Sequence, residues 1–125
     1  MRRVRRSGTT PEMVVRSVLH RVGLRFSVDR PELPGKPDIV LRRWKTVIFV
    51  HGCFWHRHAK CARASVPSTR TDYWLAKFRR NEERDLAAVR RLRRAGWRVL
   101  IIWECETRNR DALSIRIGKM FGRRS

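Results

Sequence analysis

Apolar residues recur at helical spacing in three stretches of the chain and run almost unbroken through others. Val14, Val15, Val18, Leu19 and Val22 form one stripe, which predicts an amphipathic first helix. Thr9 or Thr10 is its expected N-cap, with Pro11 in the first turn, Glu12 beside the positive helix end and Gly23 as the stop. Leu24 to Val28 predicts a first strand, and Arg30-Pro-Glu-Leu-Pro-Gly35 a turn-rich connection. Pro37 to Leu41 reads as a second strand. Lys45 to His51 reads as a third, continuously apolar and therefore central. Residues 52–70 form an irregular loop carrying Cys and His. A long helix is expected from about Thr71 to Ala95, closed by Gly96, with Leu75, Phe78, Leu86, Val89 and Leu92 as its core stripe. Trp97 to Trp103 gives a fourth strand, and Asn109 to Phe121 a last amphipathic helix.

This order, αβββαβα, is an α/β fold: a central mixed four-stranded sheet flanked by helices. One domain is expected over residues 9–125, behind a short basic arm at residues 1–8. The third strand, long helix and fourth strand make a crossover unit, so those two strands should be parallel. Their carboxyl ends, His51 and Glu104, then share one sheet edge, where open α/β sheets usually bind ligands.

Charge turns this outline towards a partner. Lys and Arg number 31 against 11 acids, a formal net charge of +20 on a chain that is 42% hydrophobic. Most of the bases are Arg, whose planar fork suits phosphate. A polyanion is therefore expected, with nucleic acid ahead of a membrane surface. No apolar run reaches bilayer length and no signal-peptide core is present, so the cytoplasm is the expected compartment.

Three cysteines cannot pair completely, and in a reducing compartment they read as metal ligands or buried thiols. The parallel crossover places Cys105 near Cys53, with His58 and Cys61 on the loop between. Three thiols and one imidazole suit structural zinc, which would staple an otherwise unusually long irregular loop. Spacing alone leaves open whether His56 or His58 is the imidazole ligand, or whether the thiols are simply buried.

Phosphodiester hydrolysis needs charge neutralisation at the phosphate, an activated water and a proton for the leaving oxygen. Asp38 stands at the start of the second strand, beside the backbone carbonyls near the end of the third. That set offers hard oxygen ligands for Mg2+, although the residue alone equally fits a surface strand end. A histidine such as His56 beside that site suits a general acid or base. On the long helix Asp85 falls within the stripe and Glu82 near it, and an inward carboxylate needs a partner such as imidazole. Glu12 flanks the first stripe and also fits a helix-dipole acid. Phe54, Trp55 and Trp74 fit base stacking, and Trp74 equally fits a core position at the helix start.

Taken together, Thr10-Pro-Glu12, Leu33-Pro-Gly-Lys-Pro-Asp38, Val47-Ile-Phe-Val-His-Gly-Cys-Phe-Trp-His56, Val66-Pro-Ser-Thr-Arg-Thr-Asp-Tyr-Trp74, Asn81-Glu-Glu-Arg-Asp85 and Gly96-Trp-Arg-Val-Leu-Ile-Ile-Trp-Glu-Cys105 resemble the very-short-patch repair (Vsr) mismatch endonucleases. The resemblance covers residues 9–106. It implies a restriction-endonuclease-like fold of the PD-(D/E)XK type. It also implies Mg2+-dependent nicking of one DNA strand 5′ to the thymine of a T·G mismatch, the product of 5-methylcytosine deamination. The implied catalytic set is Asp38, His56, His51, Asp85 and Glu12, with Mg2+ on Asp38 and the backbone carbonyl of Val50. The implied zinc ligands are Cys53, His58, Cys61 and Cys105. The implied DNA contacts are Phe54, Trp55, Trp74, Arg70 and Met13. The expected partners are double-stranded DNA and, as candidates, mismatch-repair proteins, and a monomer suffices for one nick. The chain departs from the family's pattern at Val50, where the best-known members carry threonine, in a segment between His58 and Cys61 one residue longer than in some members, and in its short amino-terminal arm. A related nuclease with another target, or a zinc-containing nucleic-acid binder without catalysis, is the rival reading.

Overall fold

The computed structural model describes residues 10–28, 30–53 and 68–122. Six principal elements follow in order: α1 (Thr10–Val22), β1 (Ile39–Leu41), β2 (Thr46–His51), α2 (Thr71–Arg94), β3 (Arg98–Trp103) and α3 (Arg110–Met120). Short 3-10 turns, Arg42–Trp44 and Glu104–Arg108, follow β1 and β3.

The sheet order is β1-β2-β3. β1 runs antiparallel to β2 with Ile39 opposite Ile48, and β2 runs parallel to β3 with His51 opposite Trp103. The expected crossover is therefore present. The expected strand over 24–28 is not: the segment pairs only as an isolated bridge, Ser27 with Val40, through two backbone hydrogen bonds of 2.8 Å. The described sheet thus has three strands rather than four. Its neighbour β1 turns into a 3-10 helix after three residues, and Pro31, which has no N–H to offer a ladder, follows close behind the bridge. Leu24 and Phe26 instead join the core beneath α1.

Side chains alternate cleanly across the sheet. Ile39, Leu41, Ile48, Leu100 and Ile102 pack with α1 and α3 on one face. Val40, Val47 and Phe49 pack with Leu92 of α2 on the other. By the same alternation Asp38 and His51 belong to the α2 face, and the Val50 side chain packs into the α1/α3 core.

Glycine ends both long helices as expected, and by the same device. At Gly23 (φ +90°) the Gly23 and Leu24 amides donate to the carbonyls of His20 and Leu19, and at Gly96 (φ +93°) the Gly96 and Trp97 amides donate to those of Arg93 and Leu92. Both are left-handed Schellman stops, which favour glycine because it has no Cβ. α3 starts on Asn109, whose side chain accepts from the Ala112 amide at 3.0 Å.

The stripe on α2 differs from expectation. Phe78, Ala88 and Leu92 are buried, whereas Leu75 and Leu86 are about half exposed. A small residue is required at position 88 because Gly35 approaches there: a Cβ on Gly35 would lie 2.6 Å from the Ala88 Cβ. Gly35 also has φ +74°. Gly35→Ala should therefore destabilise the fold by about 2–4 kcal/mol, from the left-handed backbone and overpacking together. An unchanged urea midpoint in this variant would show that the two segments are not locked.

Candidate active site

Pro37 is buried and offers no N–H, so the pairing of this segment begins at Asp38, whose amide donates to the Ile48 carbonyl at 3.0 Å. The Asp38 side chain turns across to β2, where Oδ2 accepts the Val50 N–H at 2.7 Å. That bond fixes a carboxylate beside the main chain of Val50. Two residues from Phe49 along the same face, His51 is 6% exposed, with its ring edge-on to Trp103 at 5.3 Å and tilted against Phe49 at 5.8 Å. α2 contributes Asp85, half-buried on the inward side of the helix. Asp38, Val50, His51 and Asp85 line a single cleft of about 260 Å³ between the sheet edge and α2.

The same cleft is lined by Lys36 and Arg84, which sequence reasoning did not single out. The signal was adjacency: Lys36 lies two residues before Asp38, and Arg84 immediately before Asp85. Lys36 has φ +51°, a turn conformation that places it at the cleft, and Arg84 donates to Asn81 Oδ1 at 2.6 Å. The cleft thus combines two carboxylates, one imidazole and two cations. That combination suits a phosphodiester: cations can meet its oxygens, and carboxylate and imidazole are chemically able to hold a metal ion and move protons.

Glu12 is placed differently. It is 1% exposed, so it is no surface helix-dipole acid, and it is ion-paired with Arg16 one turn on. It sits on α1, which packs on the opposite sheet face from His51, and it does not line the cleft. The remaining expected acid near the stripe, Glu82, is exposed. Because Glu12 is buried and the pair part-buried, Arg16→Met should cost about 1.5–3 kcal/mol, as for loss of a hydrogen bond to a charged group. A Glu12/Arg16 double-mutant cycle with no coupling would overturn this.

For the sulfur site, the register is informative. Cys53 and Cys105 each lie two residues beyond the paired residues His51 and Trp103, so both fall at the same sheet edge. Cys53 is fully buried and Cys105 half-buried, in the 3-10 turn that follows β3. Thiolates are fitting donors for zinc. His58 and Cys61 lie outside the described residues, as do Phe54, Trp55 and His56, and among the described residues no group of three or more candidate ligands converges. The two thiols present are compatible with half of a tetrahedral site.

The described DNA-contact candidates lie on exposed or half-exposed ground. Met13 is 48% exposed. Trp74 is half-buried, stacked on Phe78 at 5.9 Å and edge-on to Tyr73 at 5.3 Å, so it is tied to the helix start rather than free of the core. The Arg70 guanidinium lies over the Tyr73 ring at 4.6 Å. No helix among the described residues is long and apolar enough to cross a membrane.

Comparison with known proteins identifies the family. The chain is 45% identical over 117 residues, 94% of its length and 85% of the relative's, to the type II nicking enzyme V.XorIIP of Xanthomonas oryzae pv. oryzae. It is 46% identical over 114 residues, 91% of its length and 72% of the relative's, to the DNA mismatch endonuclease Vsr of Escherichia coli K12. It is 38% identical over 120 residues, 96% of its length and 85% of the relative's, to the type II nicking enzyme V.NmeAIP of Neisseria meningitidis. These likenesses place the chain among the DNA-nicking endonucleases. More narrowly, residues 1–63 match the family described as DNA mismatch endonuclease Vsr, and the chain belongs to that family. The small α/β fold with its mixed sheet is compatible with a nuclease of this kind.

Proposed function

We propose that this endonuclease nicks one strand of duplex DNA 5′ to the thymine of a T·G mismatch, with Mg2+ as cofactor. The observation that carries the reading is the Asp38 carboxylate, tied to the Val50 amide in a cleft shared with His51 and Asp85. A mismatch target is supported by the likeness to the E. coli DNA mismatch endonuclease Vsr and by the motif resemblance.

In this mechanism Asp38 and the Val50 carbonyl would hold Mg2+, which supplies Lewis-acid neutralisation of phosphate charge when bound. The Val50–Asp38 hydrogen bond supports this fit, because it brings a side-chain oxygen to the main chain that offers the second one. Valine serves there, since only the backbone is asked to contribute. Lys36 and Arg84 would draw the phosphate into the cleft. His56 would exchange the proton: a water oxygen bonds to phosphorus, the bond to the leaving sugar oxygen breaks, and that oxygen gains a proton. His51, walled by Phe49 and Trp103, would be oriented in a fixed pose. Its position on the α2 face, with Asp85 in the same cleft, favours Asp85 over Glu12 as the orienting acid.

The experiment is a panel of duplexes carrying each mismatch in varied flanks, with and without Mg2+. Nicking of the T·G strand only, and only with the metal, is expected. Equal nicking of fully paired duplexes would instead favour a sequence-directed nickase, a reading kept open by the relatives named as type II nicking enzymes. DNA binding without nicking in any duplex would leave only the non-catalytic reading.

A further inference from the structure

A second cleft lies at the other end of β1. Asp38 immediately precedes that strand, and the 3-10 turn Arg42–Trp44 immediately follows it. At the rise of an extended strand, the two ends are roughly 15 Å apart. This cleft measures about 310 Å³ and is lined by Arg25, Arg42 and Arg43 around Phe26 and Trp44. All three arginines are exposed.

We propose that this cleft is a second phosphodiester-binding site, which grips DNA backbone away from the nicking centre. Three guanidinium groups gathered at one concavity repel each other, and none has a hydrogen bond or ion pair within the described residues. Contrast Arg16, Arg30 and Arg116, each of which is matched to a glutamate. Among the described residues, Glu32 is an acid whose field reaches this group. Its carboxyl is held below the usual range by a backbone hydrogen bond and by Arg30, with a smaller contribution from Arg42. It is already paired with Arg30, so among the described residues no acid is ion-paired with Arg25 or Arg43. Convergent unpaired Arg forks are complementary to phosphate oxygens.

The rings add shape. Trp44 is braced edge-on against Phe121 at 5.2 Å, and Phe26 is stacked with His20 at 4.9 Å. They form an apolar wall on which a sugar or base can lie while the forks take the phosphates. The ligand is therefore a phosphodiester chain rather than free phosphate. It comes either from the flank of the duplex being nicked, some four to five base pairs away at about 3.4 Å per step, or from a second DNA segment.

The test compares the triple variant Arg25→Gln/Arg42→Gln/Arg43→Gln with a charge-matched control, Arg90→Gln/Arg93→Gln/Arg94→Gln on the exposed end of α2. Duplex binding is measured across a salt series. Each lost phosphate contact removes about 0.9 from the slope of log K against log salt, so the cleft variant should lose about 2–3 and the control clearly less. Its nicking rate at saturating DNA should stay unchanged, because uniform binding is lost and transition-state contacts are not. A flanking contact shows this loss on a long duplex and not on one confined to the nicking cleft. A second-segment contact shows it as loss of complexes holding two duplexes. Equal slope changes in both variants, or none in either, would overturn the proposal. Thermal melts of both variants report folding, and Arg25→Lys/Arg42→Lys/Arg43→Lys, which keeps the charge, should retain most of the slope. The proposal depends on the DNA-directed reading only for the source of phosphodiesters. A chain that fails to nick any mismatch but shows the cleft-specific slope change would overturn that reading and leave this one standing.

Discussion

Asp38→Ala should abolish nicking, lowering the rate at saturating DNA by about 10³-fold or more, which corresponds to about 4 kcal/mol of transition-state stabilisation. DNA affinity should hold or rise, because the change removes a negative charge from a cleft built to meet phosphate on a chain of net charge +20. The substitution has a structural cost as well. The Val50 amide loses its acceptor, and an unsatisfied part-buried donor costs about 1–3 kcal/mol. Asp38→Asn separates the two effects. Its amide oxygen still accepts from Val50, so the fold is kept, but the neutral side chain is a far weaker ligand for a hard dication. The proposed mechanism requires Asn to be nearly as inactive as Ala. An Asn variant that nicks at close to the wild-type rate would mean that Asp38 is a structural clamp for the end of β2, and the metal site would have to be sought elsewhere.

Asp38 was only partly legible in the sequence. Pro37 and the apolar run after it located a strand start, but a strand-start acid is usually a surface residue. Only the fold shows its carboxylate crossing to β2. Helix ends were easier to read. Gly23 and Gly96 each follow an apolar stripe, and positive φ at those points is cheap for glycine alone. The parallel strands β2 and β3 were also plain, because a parallel pair covered by helices on both faces calls for apolar residues on both. The segment 24–28 shows the limit of such patterns. Its alternation satisfies packing as well as pairing, and here Leu24 and Phe26 fill the core with one bridge to β1. On α2, large apolar residues suggested the stripe, but the buried face is the one through Phe78, Ala88 and Leu92, and Leu75 and Leu86 lie roughly 100–120° from Leu92 about the helix axis, so they remain exposed. Ala88 carries little hydrophobic signal and yet is fixed by the approach of Gly35. Asp85 was legible from its angle on the helix and does face the cleft. Glu12 was harder to read. An acid in a first turn has a sufficient explanation in the helix dipole, and its burial against Arg16 emerges only when α1 is packed.

Zinc is where the largest effect on stability is expected. Zinc-loaded protein should contain one ion per chain, and stripping it with a strong chelator should lower the melting temperature by roughly 15 °C, with no recovery on adding Mg2+. Cys105→Ser should reproduce the loss of both metal and stability. It is the cleaner of the two accessible variants. Cys53 is fully buried, so a serine there leaves a hydroxyl in the core and destabilises whether or not zinc is bound. Cys105 is half-buried in a 3-10 turn held by other bonds: Thr107 Oγ1 donates to the Glu104 carbonyl at 2.7 Å, and Glu106 accepts from the Trp103 amide at 2.9 Å. Serine there is tolerated on packing grounds alone, and a large loss of stability then points to a missing ligand. The comparison also decides the competing view that the cysteines are inert thiols. On that view Cys105→Ser melts close to wild type and the purified protein carries no stoichiometric zinc. On the zinc view the ion ties the chain leaving β2 to the chain leaving β3, at the edge that also carries His51. Chelation should then reduce nicking as well as stability, because His56, to which the proposed mechanism gives the proton transfer, follows the tethered Cys53 by three residues. A chelated protein that melts low but nicks at the full rate below its melting temperature would separate the staple from the active site.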